Sequence, residues 1–320
     1  MSPKNRIFVC GGVYAAGKTG SEAVMAGLRK VRAIIKWLVP DGLLYRYIVP
    51  FYKKITRSSQ KKRKQLRFQI NIVDHCNLNC RGCTAFSPIA KEKYIDVSIF
   101  ERDCIRLSEL TGGQIELIDL LGGEPLLHPE IITIIKIARK YFHTGDINIV
   151  TNGILLKKMP GGFWRACHEN NIIVIISGYP IKLDIDGIKA MAEKNNVRLT
   201  IRGNTSDIKI WNKVPFDVEG RQNVVENFRT CYGANFCVNL EDGKLATCPI
   251  PFVIKHFNKY FNQQVAVTER DYIDIFKVKN IGEIFDFLRR PAPICAFCNL
   301  KGITYGIDWA VSKKEITEWI

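Results

Sequence analysis

No apolar run in the 320 residues approaches the ~18 needed for a membrane-spanning helix. The first residues alternate charge, glycine and small side chains, without the apolar stretch of an export signal. A disulfide framework needs an oxidising compartment, and nothing in the chain signals export. The cytoplasm is the expected location. The eleven cysteines read as metal ligands plus a few reduced thiols, Cys10, Cys104 and Cys167 among them. Acidic side chains are nearly missing from residues 1–67, where 16 Lys and Arg face only Glu22 and Asp41. That segment holds most of the net charge of +16, and the rest of the chain is close to neutral. No RNA-binding motif accompanies the basic charge, so nucleic acid is not an expected partner.

The basic segment has its own pattern. Gly12 to Thr19 fits the phosphate-loop spacing G-x4-G-K-T, which cradles phosphates with backbone N–H groups. Cys76 comes only 57 positions after Thr19, too few for the sheet of a nucleotide-hydrolysing domain, and the match reads as coincidence. Residues 21–38 have helical periodicity through Val24, Leu28, Val31, Ile35 and Leu38, with basic side chains off that stripe. An aromatic patch around Tyr45, Tyr47, Phe51 and Tyr52 follows, then the run Lys61-Lys62-Arg63-Lys64. Residues 21–64 suit attachment to an anionic membrane surface. A helix packed on the rest of the protein with a solvated charge run is the other reading.

From residue 66 onward, strands and helices alternate. Strands are expected at 66–73, 114–121, 146–151, 172–177 and 197–202. Helices are expected at 96–110, 129–141, 162–170 and 186–196, the first capped by Asp96. This order implies a parallel sheet with right-handed crossovers. Five βα units suit a partial barrel better than a closed eightfold one. The first strand leads into Asp74-His75-Cys76-Asn77-Leu78-Asn79-Cys80-Arg81-Gly82-Cys83. Three thiolates at this spacing can face one point and leave a fourth position open; a zinc knuckle with a distant fourth ligand uses the same spacing. The second strand ends in Gly122-Gly123-Glu124-Pro125, where glycines permit close backbone approach to a ligand.

Cys-x3-Cys-x2-Cys followed one strand later by G-G-E-P resembles the radical S-adenosylmethionine (SAM) superfamily. The resemblance covers residues 68–300. It implies an α/β fold, a partial (β/α)6 TIM-like barrel. It also implies that Cys76, Cys80 and Cys83 bind three irons of a [4Fe–4S] cluster whose fourth iron binds SAM. Gly122, Gly123, Glu124 and Pro125 would line the SAM site, with Asn152 and Ser177 at the next strand ends. Beyond the barrel, Cys231, Gly243 to Cys248, and Cys295-x2-Cys298 resemble the start of a SPASM domain, and more closely its shortened twitch form. That implies one auxiliary [4Fe–4S] cluster on Cys231, Cys248, Cys295 and Cys298. Structural zinc is the other reading of that spacing, and Cys237 could replace Cys231. The expected division is a basic helical N-terminal extension at 1–65, the barrel at 66–225 and a small auxiliary-cluster domain at 226–320.

The resemblance implies reductive cleavage of SAM to a 5′-deoxyadenosyl radical that takes hydrogen from a substrate, with a flavodoxin- or ferredoxin-type electron donor. The leading expectation is an oxidoreductase that oxidises a carbohydrate-like alcohol, the auxiliary cluster accepting an electron. His128, Tyr179 and Arg202 are the candidates to handle the hydroxyl proton. Peptide modification, epimerisation with Cys237 as hydrogen donor, and a membrane-held Fe–S sensor are the alternatives. If residues 21–64 attach the protein to a membrane, removing residues 1–60 abolishes salt-sensitive binding to anionic vesicles and leaves SAM cleavage largely intact. A truncated protein that still sediments with the vesicles contradicts this.

Overall fold

The computed structural model describes residues 65–202, 210–231, 233–234 and 236–320. The phosphate-loop match, the basic helix, the aromatic patch and the lysine run lie outside the described residues. Residues 65–320 pack as one compact unit.

The first half is a regular βα alternation: β1 (Leu66–Val73), α1 (Val97–Thr111), β2 (Ile115–Gly122), α2 (Ile131–Tyr141), β3 (Asp146–Thr151), α3 (Gly161–Glu169), β4 (Ile172–Ser177), α4 (Ile185–Lys194) and β5 (Arg198–Arg202). These bounds lie within two residues of those read from periodicity. Asp96 caps α1 as expected, its carboxylate accepting from the N–H groups of Ser98 (2.7 Å) and Ile99 (3.3 Å). After β5 come β6 (Ile210–Lys213), α5 (Val224–Thr230), β7 (Asn239–Glu241), β8 (Lys244–Ala246), α6 (Ile250–Phe261), β9 (Tyr272–Asp274), α7 (Ile281–Leu288) and β10 (Thr304–Asp308).

The main sheet has the order β5-β4-β3-β2-β1-β7-β8-β9. Its first five strands are parallel, giving the expected partial barrel. The sixth strand does not extend it beside β5: β6 pairs antiparallel with β10 in a separate ribbon. The free edge of β1 is taken instead by β7, parallel through Gln69 and Asn239. The β7–β8 hairpin turns through Asp242 (φ 45°) and Gly243 (φ 73°), the two positive φ values of a tight hairpin turn. Its turn is held to α1 by the buried Asp103, which accepts from Gly243 N–H at 2.7 Å. The sheet therefore runs across the division drawn at residue 226.

Two hydrophobic cores flank the sheet. The larger lies between one sheet face and the helices, with Phe68, Ile70 and Ile72 of β1 against Phe100, Leu107, Ile134 and Ile135. The smaller gathers Phe86, Phe216, Phe257, Ile294 and Trp319, and Cys231, Cys248, Cys295 and Cys298 belong to it or pack on it.

Candidate active site at the carboxyl ends of the strands

The cysteine loop leaves β1 and curls through three left-handed positions, Asn79 (φ 53°), Gly82 (φ 64°) and Phe86 (φ 55°). The turn returns the chain on itself, Phe86 N–H donating to the Cys83 carbonyl at 3.0 Å. Sulfur of Cys76 accepts from Leu78 N–H at 3.4 Å and faces Asn152 Nδ2 at 3.7 Å. Burial pushes the Cys76 thiol up to about 11, and the charges of Glu124 and Cys83 push the same way. Burial also raises Cys80 and Cys83, and at Cys80 the charges of Cys83 and Cys76 add to it. The three sulfurs are thus close enough to oppose one another's ionisation.

That environment fits an iron–sulfur cluster. Three buried or half-buried thiolates facing each other are costly alone, and a polycation at their centre removes the cost and deprotonates them outright. Trp309 adds a further sign: its buried indole N–H faces the sulfur of Cys80 and favours its thiolate, as an N–H aimed at a cluster sulfur would.

The glycine turn at the end of β2 is locked to this loop by backbone. Gly123 N–H donates to the Val73 carbonyl at 2.7 Å and Glu124 N–H to the His75 carbonyl at 3.0 Å. A Cβ on Gly123 would lie 1.9 Å from His75 O, and one on Gly122 2.2 Å from Val73 O. Only glycine permits this approach. Glu124 is fully buried. Its carboxylate accepts from Thr151 Oγ1 (2.6 Å), Asn152 N–H (2.9 Å) and Leu126 N–H (3.1 Å). Pro125 opens a short 3-10 turn behind it. Asn152 completes the ring: Nδ2 donates to Asn77 Oδ1 at 2.7 Å. The ends of β1, β2 and β3 are thus one hydrogen-bonded frame, and Asn152 is spent on positioning the cysteine loop. Ser177 stands at the end of β4, opposite Arg202 in β5.

The proton-handling candidates fare differently from the frame. His128 is buried with both ring nitrogens committed: Nδ1 accepts from Glu130 N–H at 3.1 Å and Nε2 faces Ile95 O at 3.0 Å. Burial lowers its pKa. It is a neutral helix-start residue and not a base. Tyr179 does reach the site. Burial raises its phenol well above the usual 10, with the charges of Cys80, Cys83, Cys76 and Glu124 adding to the rise. A phenol so raised stays protonated and serves as a wall or donor. Arg202 is buried at the end of β5.

The second cysteine set assembles in the smaller core. Burial drives the Cys248 thiol well above its usual range, followed by the charges of Cys295, Cys298 and Cys231. Burial and Cys231 bring Cys295 to about 12. Cys231, Cys248, Cys295 and Cys298 are therefore neighbours. The buried Asn227 clamps their loops, Nδ2 donating to the carbonyls of Cys295 (2.8 Å) and Cys298 (2.5 Å). Cys237 lies away from the first site. It precedes β7, which runs parallel to β1, and its neighbour Phe236 stacks on Arg67 at 4.5 Å, near the start of β1. The cysteine loop leaves the opposite end of that strand, so strand direction removes Cys237 as hydrogen donor to a substrate there.

Sequence reasoning missed the C-terminal brace. Arg81 N–H donates to Ala310 O (2.8 Å), Ser312 N–H to Asn79 O (2.8 Å), Gly82 N–H to Glu318 Oε2 (3.3 Å) and Trp319 Nε1 to Cys83 O (2.9 Å). Two of the chain's five tryptophans fall in its last 12 residues, the one available signal that this stretch packs on something.

Glu124 carries a pH signature. Burial pushes its carboxyl from the usual 4.5 to about 7. A group that holds its proton more tightly when folded adds stability below the lower value and loses it as pH rises through the upper one. Thermal stability of the metal-free protein falls between about pH 4.5 and pH 7, and Glu124→Gln flattens that fall. Parallel profiles for the two proteins contradict this.

Residues 70–237 match the family described as the Radical SAM superfamily. Among curated proteins, the GTP 3′,8-cyclase of Petrotoga mobilis is 31% identical over 99 residues, covering 31% of this chain and 30% of that protein. Molybdenum cofactor biosynthesis protein 1 of Bos taurus is 29% identical over 121 residues, 38% of this chain and 19% of that protein. The chain thus spans less than a third of the length of these relatives. Among solved structures, BtrN in complex with AdoMet and 2-DOIA aligns over 74% of this chain and 94% of that one, at a TM-score of 0.44 and 14% identity. Native anSMEcpe with bound AdoMet and Cp18Cys peptide aligns over 43% and 42%, at a TM-score of 0.35 and 20% identity. The family match takes in just over half of the sequence, and the three-cysteine loop and the glycine–glutamate turn both fall within it: the chain belongs to the radical SAM superfamily.

Proposed function

We propose that the protein is a radical SAM oxidoreductase that removes two hydrogens from an alcohol of a carbohydrate-like substrate. Cys76, Cys80 and Cys83 hold the [4Fe–4S] cluster of the family, and the Gly122–Pro125 turn with Ser177 lines the SAM site. When bound, the pair supplies reductive cleavage of SAM to methionine and a hydrogen-abstracting 5′-deoxyadenosyl group. The electron comes from an external reductant of the flavodoxin or ferredoxin type. The chain's own part is placement. The frame of Gly123, Glu124, Thr151 and Asn152 fixes the loop ends, and Tyr179 closes one side against water.

One observation carries the oxidative reading. Four cysteines, Cys231, Cys248, Cys295 and Cys298, are electrostatic neighbours in one buried core. Four thiolates complete a [4Fe–4S] cluster and leave no iron open for substrate. A closed cluster suits an electron acceptor. Losing a hydrogen atom from the carbinol carbon and a proton from the hydroxyl leaves one electron to place, and a [4Fe–4S] cluster there would take it. The smaller core also touches the first site, since Phe86 and Trp319 belong to it and Trp319 bonds Cys83. The placement of Cys237 near the start of β1, away from the cysteine loop, favours oxidation over epimerisation through that thiol.

The test is mass spectrometry of anaerobic reactions. The oxidative reading requires a product two hydrogens lighter than substrate, with one SAM consumed per product. A product of unchanged mass, as an epimerisation or an intramolecular cyclisation gives, overturns it. Cys80→Ala abolishes 5′-deoxyadenosine formation in either case, because the first cluster is left a ligand short.

A further inference from the structure

The end of the chain lies against the cysteine loop in one short antiparallel register. Cys80 pairs with Val311 as an isolated bridge. Ser312 N–H donates to Asn79 O, and Arg81 N–H to Ala310 O, both at 2.8 Å. These bonds bracket Cys80 and Val311 and leave them a non-hydrogen-bonded pair, the kind whose side chains stand closest. Trp309, two residues before Val311, is then the diagonal neighbour of Cys80, a separation that an aromatic side chain spans. One residue fixes the backbone on both sides of it. Arg81 Nη2 donates to Asp308 O at 2.6 Å, and Arg81 N–H takes Ala310 O.

Indole has one donor and no acceptor. Trp309 is half-buried, yet its Nε1 is shut off from solvent, and among the described residues no oxygen or nitrogen accepts from it. The carbonyls of the bracket, on Asp308, Ala310 and Asn79, already accept from Arg81 and Ser312. A buried donor without such an acceptor is rare in native proteins and needs a reason. The group that this one faces is the sulfur of Cys80. The other two sulfurs have backbone donors. Leu78 N–H serves Cys76 at 3.4 Å, and the N–H groups of Ala85, Phe86 and Ser87 favour the thiolate of Cys83. At Cys80 the side-chain donor is the indole.

We infer that Trp309 donates a hydrogen bond to the Cys80 sulfur of the SAM-binding cluster and raises the reduction potential of that cluster. The inference rests on the assignment of Cys76, Cys80 and Cys83 to that cluster. Reduction adds negative charge at iron and sulfur, so a donor on sulfur stabilises the reduced form more than the oxidised one. The higher potential lets an external donor of modest strength load the electron. Trp309 acts through Cys80 and is a positioning residue. Because Arg81 holds both of its neighbours, the indole is in place before the cluster is reduced.

Potentiometric titration of the anaerobically reconstituted full chain, followed by electron paramagnetic resonance, tests this. Trp309→Phe keeps a ring in place and removes the N–H. At a fixed potential, the reduced-to-oxidised ratio of the SAM-responsive cluster falls about fivefold, or ~40 mV given about 59 mV per tenfold for one electron. The second cluster keeps its midpoint and is the internal reference. Growth on 5-fluorotryptophan tests the wild type without a variant: the fluorinated indole is a stronger donor, and the first midpoint rises. The same labelling leaves the midpoint of Trp309→Phe unmoved. An unchanged first midpoint in Trp309→Phe, or equal shifts in both clusters, overturns the inference and leaves Trp309 as packing. If Trp309→Phe fails to assemble the first cluster, the fluorinated wild type decides, and a midpoint that does not rise overturns the inference. A wild type with no SAM-responsive signal would instead remove the cluster assignment beneath it.

Discussion

The site depends on two backbone hydrogen bonds, from Gly123 and Glu124 to the carbonyls of Val73 and His75. They join the end of β2 to the end of β1 at a separation that no side chain on Gly123 would allow. Everything else is referred to that contact. It turns Glu124 inward, where its carboxylate gathers the end of β3. The end of β3 in turn presents Asn152 to Asn77 and Cys76. Burying a carboxyl is expensive, and three donors offset part of that cost. The frame costs stability at neutral pH and secures the position of a loop that must hold three thiolates around one point.

The same loop is held from its far side by the end of the chain. Residues 308–319 supply backbone, carboxylate and indole partners to Asn79, Arg81, Gly82 and Cys83. The smaller core that contains the second cysteine set continues into that brace through Trp319 and Phe86. Packing thus couples the two sets of cysteines: a change that loosens the smaller core moves the carbonyl of Cys83. Midway along α6, Lys255 and His256 reach Glu241 and Asp74, so the helix following Cys248 also leans on the residue before the cysteine loop.

Much of this was legible in the sequence, and the reasons are physical. The strands are β-branched and bounded by turn residues, the helices carry apolar stripes, and Asp96 is a cap by residue type. The cysteine spacings survive because ligands must converge whatever the fold around them. What failed was placement by proximity to a strand end. His128 follows a strand closely yet turns away, because its ring completes the start of a helix. Cys237 sits among other cysteines in sequence, but strand direction carries it to the wrong end of β1. The pairing of β7 with β1 was invisible, since three residues have no readable period. The brace from residues 308–319 bears no motif at all.

The central claim is that one cysteine set holds a cluster open to SAM and the other holds a closed one. Electron paramagnetic resonance of the reconstituted, reduced protein tests it directly. Two [4Fe–4S] signals are expected, and only one changes on adding SAM. The signal that changes is the one missing after joint replacement of Cys76, Cys80 and Cys83 by alanine. A single signal, zinc in place of the second cluster's iron, or a response to SAM that persists in the triple variant would contradict the account.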